Sequence, residues 1–289
     1  MECRRKPRRA AETPSRCWFN IFTPEPARAR SFFGKLLGWT YVDTDMGHTV
    51  QLEGHDIAGL FDLVPRTPKG TPPLIGLMVK VKSADATAKK VRALGGKAKP
   101  PFDIGPAGRM SVCHDPSGAD FDVWEPRGLP GWEVDANTPG APTWFKTTTR
   151  HLDQVAKFYS ALFGWKADSA SPENRTFYRG GRPVGAAKHS VLAGSRPNWR
   201  TYFAVKEVEA ATRKAVKLGG KVLAPVTTLK GSRFAGIRYP QGVQFYVMQR
   251  GARRGICGSR RRMVERLVAR TIVDYGRFGL AMSDKGLGR

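Results

Sequence analysis

Asp122 and Lys146 are ionisable side chains that strand periodicity places on the same faces as tryptophans. Side chains alternate across a strand, so Asp120, Asp122 and Trp124 share one face, as do Trp144, Lys146 and Thr148. The same rule groups Trp18, Asn20 and Phe22, and likewise Gln244, Tyr246 and Met248. If these faces line cavities, they offer aromatic walls with a few polar groups, the usual anatomy of a small-molecule site. The alternative is that Trp18 and Trp144 simply pack a core, where large aromatics dominate the energetics. Asp122 and Lys146, if buried together, form either a structural ion pair or an acid/base couple. Arg109 and Arg233 each enter a strand. Facing inward, such a guanidinium holds a carboxylate or phosphate; on the surface it makes a salt bridge.

Metal chemistry finds little support in the ligand-type residues. The five histidines, His48, His55, His114, His151 and His189, include no pair at i, i+4, and each reads as solvated or hydrogen-bonded, with metal or acid/base work as the alternative. Cys3, Cys17, Cys113 and Cys257 form no Cys-x-x-Cys pair, which argues against a zinc knuckle or a disulfide framework and for free thiols.

The elements that must position these residues occur twice. Trp18, Phe19, Thr23, Phe32, Leu36, Gly38 and Trp39 recur as Trp144, Phe145, Thr149, Phe158, Leu162, Gly164 and Trp165 at a constant spacing. One supersecondary unit has been used twice. In the first copy, Cys17 to Thr23 predicts a strand, and Thr23-Pro24-Glu25-Pro26 an N-cap with Pro at the first helical position. The spacing of Ala29, Phe32, Phe33, Leu36 and Leu37 predicts a helix that Gly38 ends in the left-handed conformation. Strands follow near residues 39–42, 49–52 and 57–63, then a second strand and helix (77–81, 84–94) and two strands joined by the tight turn Asp115-Pro116-Ser117-Gly118. The second copy repeats this order, with strands near 144–149, 176–178, 184–188, 201–205, 233–238 and 243–248 and a loop from Ala193 to Trp199.

The expected organisation is therefore a disordered basic tail over 1–16, one module over 17–126, a Pro- and Gly-containing linker over 127–142, a second module over 143–250, and a basic tail over 251–289. In that last stretch Met263, Val264, Leu267, Val268, Thr271 and Ile272 form an apolar stripe among arginines, either an incidental tail or a short amphipathic helix. The net charge of +25 is divided as +4 in the first tail, +14 in the body and +7 in the last 39 residues. Such a charge implies at most non-specific attraction to nucleic acid. No apolar run spans a membrane and no apolar segment follows the basic start, so a cytoplasmic monomer or homodimer is expected.

The opening strand, the Phe-(Phe/Tyr)-x-x-Leu-(Leu/Phe)-Gly-Trp helix end, the Leu-Gly-Gly stops at residues 94–96 and 218–220 and the (Asp/Tyr)-Pro-x-Gly hairpins together resemble the vicinal oxygen chelate superfamily. That superfamily includes glyoxalase I, bleomycin-resistance proteins and extradiol dioxygenases, and the resemblance covers nearly all of residues 17–250. It implies an α+β fold of two tandem glyoxalase-like modules, each of paired βαβββ units whose mixed sheets curl around a cup. It also implies where metal ligands would stand: a His or Gln on the first strand, and a Glu four residues past the hairpin Gly. Here those positions hold Trp18 and Trp144, and Asp122 and Tyr246. Indole has no lone pair for a cation, and one carboxylate is too few where zinc takes three or four ligands. The expectation is a protein that binds a small aromatic or planar molecule through Trp18, Asn20, Trp124, Trp144, Tyr246, Arg109 and Arg233, with no cofactor. The alternative is a lyase, dioxygenase or hydroxylase of the same superfamily, with an atypical site built on Asp122 and Lys146 and a divalent metal only in that case.

Overall fold

A computed structural model of the chain describes residues 16–251, except positions 68, 133, 170, 191–196 and 230, and the side chains of Arg16 and Cys17. The expected N-terminal tail, the C-terminal stretch with its apolar stripe and most of the Ala193–Trp199 loop lie outside the described residues.

The first module runs β1 (Arg16–Thr23), α1 (Pro26–Leu37), β2 (Thr40–Thr44), β3 (Gly47–Leu52), β4 (His55–Asp62), β5 (Leu74–Lys80), α2 (Ala84–Ala93), β6 (Lys97–Ala98), β7 (Phe102–Ile104), β8 (Gly108–His114) and β9 (Asp120–Pro126). The second runs β10 (Pro142–Thr149), α3 (Leu152–Phe163), β11 (Lys166–Ala167), β12 (Asn174–Arg179), β13 (Arg182–His189), β14 (Asn198–Ala204), α4 (Val208–Lys217), β15 (Lys221–Leu229), β16 (Ser232–Arg238) and β17 (Gln244–Gln249). Each module builds one sheet, ordered β2-β3-β4-β1-β5-β9-β8-β6 and β11-β12-β13-β10-β14-β17-β16-β15. Within each βαβββ unit the first and last strands pair in parallel, β1 with β4 and β5 with β9, and the two units join through the antiparallel β1–β5 pair. This is the expected α+β fold of two tandem glyoxalase-like modules.

Local sequence accounts for most of these elements and for their misreadings. Gly38 and Gly164 end α1 and α3 at φ 78° and 69°, where their N–H groups close onto the carbonyls of Gly34 and Ser160. The N-cap of α1 falls on Glu25 with no side-chain capping bond, because its carboxylate turns to Arg28 and Gln241, while Pro26 takes the first helical position. The nine-residue strand β15 goes beyond the sequence reading because it contains Pro225, which normally argues against a strand. It sits at the sheet edge with register shifts around Ala224, where a missing N–H costs no ladder bond. In the first module the matching stretch contains Pro100 and Pro101 and breaks into β6 and β7.

One continuous core unites the two modules on the helix-bearing faces of both sheets. The hairpin after β16 places Tyr239 against Phe32 and Phe33 of α1, with ring centroids 5.0 and 5.5 Å apart. The hairpin after β8 does the converse: Asp115 accepts a hydrogen bond from the Tyr159 hydroxyl of α3 (3.0 Å), which itself accepts one from Trp199 Nε1 (2.8 Å). The linker is part of this core. Trp132 is buried between Phe19 and Phe145, and Gly140 accepts the Trp39 indole N–H at 2.9 Å. With helices and linker covering one face of each sheet, the other face is left to form a cup. Among the described residues, no helix is long and apolar enough to cross a membrane.

Candidate functional site

Strand register assembles each cup from equivalent positions. In the first module Trp18 pairs with Met78, Asn20 with Gly76, Met78 with Asp122 and Met110 with Trp124. In the second, Trp144 pairs with Tyr202, Lys146 with Arg200, Tyr202 with Tyr246 and Phe234 with Met248. The intervening residues Phe19, Ile21, Leu77, Phe121 and Val123, and Phe145, Phe203, Phe245 and Val247, all point into the shared core. The predicted alternation therefore holds, and the tryptophan-bearing faces are the ones turned away from the helices.

The face of the first cup is apolar with one acid. Trp18, Met78 and Trp124 form a buried cluster of their own, flanked by Ile104, Ala107, Met110 and Leu129. Its polar groups are largely spoken for: Trp18 Nε1 donates to Asn20 Oδ1 at 3.1 Å, Asn20 Nδ2 to Met78 Sδ at 3.4 Å, and Trp124 Nε1 to the Leu129 carbonyl at 3.0 Å. Asp122 stands beside them, and Gly76 keeps its flank open, since a Cβ there would lie 3.9 Å from Asp122 Oδ2. Burial, reinforced by the nearby Asp120 and only partly offset by Lys99, pushes the Asp122 carboxyl up to about 7.

The second cup is aromatic and cationic. Tyr202 and Tyr246 stack with centroids 4.5 Å apart, and Phe234 lies edge-on to Tyr202 at 6.0 Å. The Lys146 ammonium lies 5.7 Å from the ring centroids of both Tyr202 and Phe234. Arg200 donates to the Tyr246 hydroxyl at 2.7 Å. Desolvation, together with the positive charges of Lys188 and Arg200, draws the Lys146 ammonium down to about 8.

Three expectations about site residues need correction. Asp122 and Lys146 are not a pair: they belong to different sheets, and the charges each feels are Asp120 and Lys99 for the one and Lys188 and Arg200 for the other. Arg109 lies on the helix side of β8, forked onto Asp85 of α2 (2.7 and 3.2 Å) and paired with Asp103. Arg233 likewise pairs with Glu209 of α4. These guanidiniums take the salt-bridge alternative because odd-numbered positions of β8 and β16 share the face of the core residues Cys113 and Ile237. Met78, Arg200, Tyr202 and Phe234 are cup residues that the sequence reading did not single out. Counting alternation outward from the apolar Leu77 and Phe203 would have found Met78 and Tyr202.

The cups' donor sets do not fit a divalent cation. Among the described residues no three His, Cys, Asp or Glu side chains converge. His48 pairs with Asp43, His114 with Asp120, and His151 stands exposed at the N-cap position of α3 without a side-chain capping bond, while His55 and His189 sit at strand ends. The first cup supplies one carboxylate, with its indoles, amide and thioether engaged with one another or with backbone, and three or four oxygen, nitrogen or thiolate donors are what a bound metal needs.

These two sheets, each built from two βαβββ units, define a tandem vicinal oxygen chelate fold. The chain belongs to the Glyoxalase-like domain family, which it matches twice, over residues 18–124 and 144–248. It is 32% identical over 244 residues to the proposed glyoxylase CFP32 of Mycobacterium tuberculosis (strain CDC 1551 / Oshkosh), covering 80% of this chain and 93% of that one. It is 31% identical over 254 residues to the anthracycline biosynthesis protein DnrV of Streptomyces peucetius, covering 80% and 92%. The 2,3-dioxygenase LapB from Pseudomonas sp. KL28 shares the fold with a TM-score of 0.59 at 12% identity, covering 82% of this chain and 92% of that one. The Mn(II)-bound glyoxalase from Novosphingobium aromaticivorans shares it at 0.58 and 15%, covering 81% of each.

Proposed function

We propose that the protein binds a small planar or aromatic molecule in the cups of its two modules, without a resident metal. The observation that carries this reading is the indole at the first-strand position of each cup: Trp144, partly exposed and in register with Tyr202 of the Tyr202–Tyr246 stack, offers a face to a ligand, while Trp18, buried with Trp124, must part from it to admit one. A flat ligand gains both apolar burial and ring stacking against such walls. The name of the relative DnrV, an anthracycline biosynthesis protein, is compatible with a ligand of this planar type. Neutral anthraquinone, titrated in EDTA, should quench indole fluorescence at micromolar concentration. A requirement for added divalent cation, or stoichiometric iron, manganese, nickel or zinc in the purified protein, would overturn the metal-free reading.

A second reading rests on Asp122. A carboxyl held near neutrality serves as a general acid or base, so the first cup supports an atypical enzyme of the superfamily in which this group moves a proton on a bound carbonyl compound. In that case activity in a panel of glyoxalase and dioxygenase substrates disappears in Asp122→Asn while ligand quenching persists. Absence of turnover from the wild-type protein across the panel would refute it.

A further inference from the structure

The two cups share their geometry and differ in charge. The positions of Lys146, Arg200, Tyr202 and Tyr246 correspond by register to Asn20, Gly76, Met78 and Asp122. One cup thus has a carboxyl where the other has a tyrosine, and no cation where the other has two. The contrast extends through the sheets. The eight strands of the second module contain no Asp or Glu, whereas β9 alone carries Asp120, Asp122 and Glu125.

Within the second cup, two polar groups lack partners. Lys146 makes no hydrogen bond or ion pair with any described residue; its contacts are the ring faces of Tyr202 and Phe234. Tyr202 is 1% exposed, and its hydroxyl has no hydrogen-bond partner among the described residues. Leaving an ammonium and a hydroxyl without partners is costly, and an anionic acceptor would offset the cost at Lys146. Arg200 and Lys188 add positive potential on the same face, Arg200 held in place by its bond to Tyr246.

Resting on the reading that the cups bind planar ligands, we infer that the second-module cup selects a planar aromatic anion, a carboxylate or phenolate. Its charged oxygen would be received by Lys146 with Arg200 beside it, and its rings would lie against Trp144 and the Tyr202–Tyr246 stack. Recognition of this kind makes charge the selectivity filter: the aromatic wall accepts many rings, and the unpaired cation discriminates among them.

The test uses the full chain and two isosteric probes, anthraquinone-2-carboxylate and anthraquinone-2-carboxamide, followed by indole quenching and calorimetry at low salt. The carboxylate should bind at least about tenfold more tightly than the amide. Lys146→Met should abolish that preference, the carboxylate losing at least about tenfold more affinity than the amide, and Lys146→Arg should retain it. Arg200→Gln, checked by near-UV circular dichroism for an intact fold, should reduce it in the same direction. Equal affinity of the two probes for the wild-type protein overturns the charge-selective site and leaves planar-ligand binding standing, as does a preference that survives in both Lys146→Met and Arg200→Gln. Failure of both probes to bind overturns both readings.

Discussion

Asp122→Asn should stabilise the protein at pH 8 and do so markedly less at pH 5. The reason is the carboxyl's displacement from 3.8 to about 7 by burial among Trp18, Met78 and Trp124, with Asp120 adding repulsion. The folded state therefore holds this proton more tightly than the unfolded chain. A carboxyl with a raised folded-state pKa contributes stability that is fully present below about pH 4 and is lost progressively as pH rises through 7. Roughly three pKa units at about 1.4 kcal/mol each set a ceiling near 4 kcal/mol. Residual solvent access to the half-buried side chain brings the expected difference to about 1–3 kcal/mol. Asn keeps the size and polarity and removes the titration. Urea denaturation of both proteins at pH 5 and pH 8 reads the effect as a difference of differences, in which all other titrating groups cancel. A wild-type protein more stable than Asp122→Asn at pH 8, or a pH-independent gap between the two, would refute the claim that this carboxyl is desolvated.

Other substitutions probe the core, the caps and the ligand wall. Tyr159→Phe should cost about 2–4 kcal/mol, because it leaves the buried Trp199 N–H unpaired and takes one charge-assisted bond from Asp115; a loss under 1 kcal/mol in urea would show that water replaces the hydroxyl. Gly38→Val should cost about 1 kcal/mol or more. No atom stands near the added Cβ, so the cost comes from φ 78° alone, and an unchanged denaturation midpoint would dismiss it. Trp144→Ala should weaken anthraquinone quenching by about 1–3 kcal/mol in binding while leaving far-UV circular dichroism intact, because the partly exposed indole has little core to support. Global unfolding of that variant would return Trp144 to the core.

Lys146 and Asp122 share a thermodynamic character. Each is held in a neutral-favouring environment, one pushed down to about 8 and the other up to about 7, so each detracts from stability at neutral pH. Neither has a hydrogen bond or ion pair among the described residues to offset that cost. Arg109 and Arg233, by contrast, are matched to carboxylates on α2 and α4 and tie helix to sheet. Charged groups that weaken a fold while facing its concave surface are the ones whose partner is expected to be a ligand.

Much of this architecture is legible in the chain itself. The doubled Phe-(Phe/Tyr)-x-x-Leu-(Leu/Phe)-Gly-Trp segment requires two copies of one unit, and period-two alternation correctly separates Trp18, Asn20, Asp122, Trp124, Trp144, Lys146 and Tyr246 from the core-facing residues between them. Alternation says which residues share a face and is silent on which faces meet. Asp122 and Lys146 fall on equivalent surfaces, yet lie in separate sheets. Arg109 belongs to the helix side because β8 is in register with β9 so that Met110, and not its neighbour, joins Trp124. Linker composition hid Trp132, whose burial depends on Phe19 and Phe145 being brought to either side of it. The charge contrast between the cups is likewise a tertiary property. It arises only when Lys146, Arg200 and Tyr202, scattered over β10 and β14, are laid side by side by the antiparallel register, which leaves a cation without an ion-pair partner and a buried hydroxyl without a hydrogen-bond partner among the described residues.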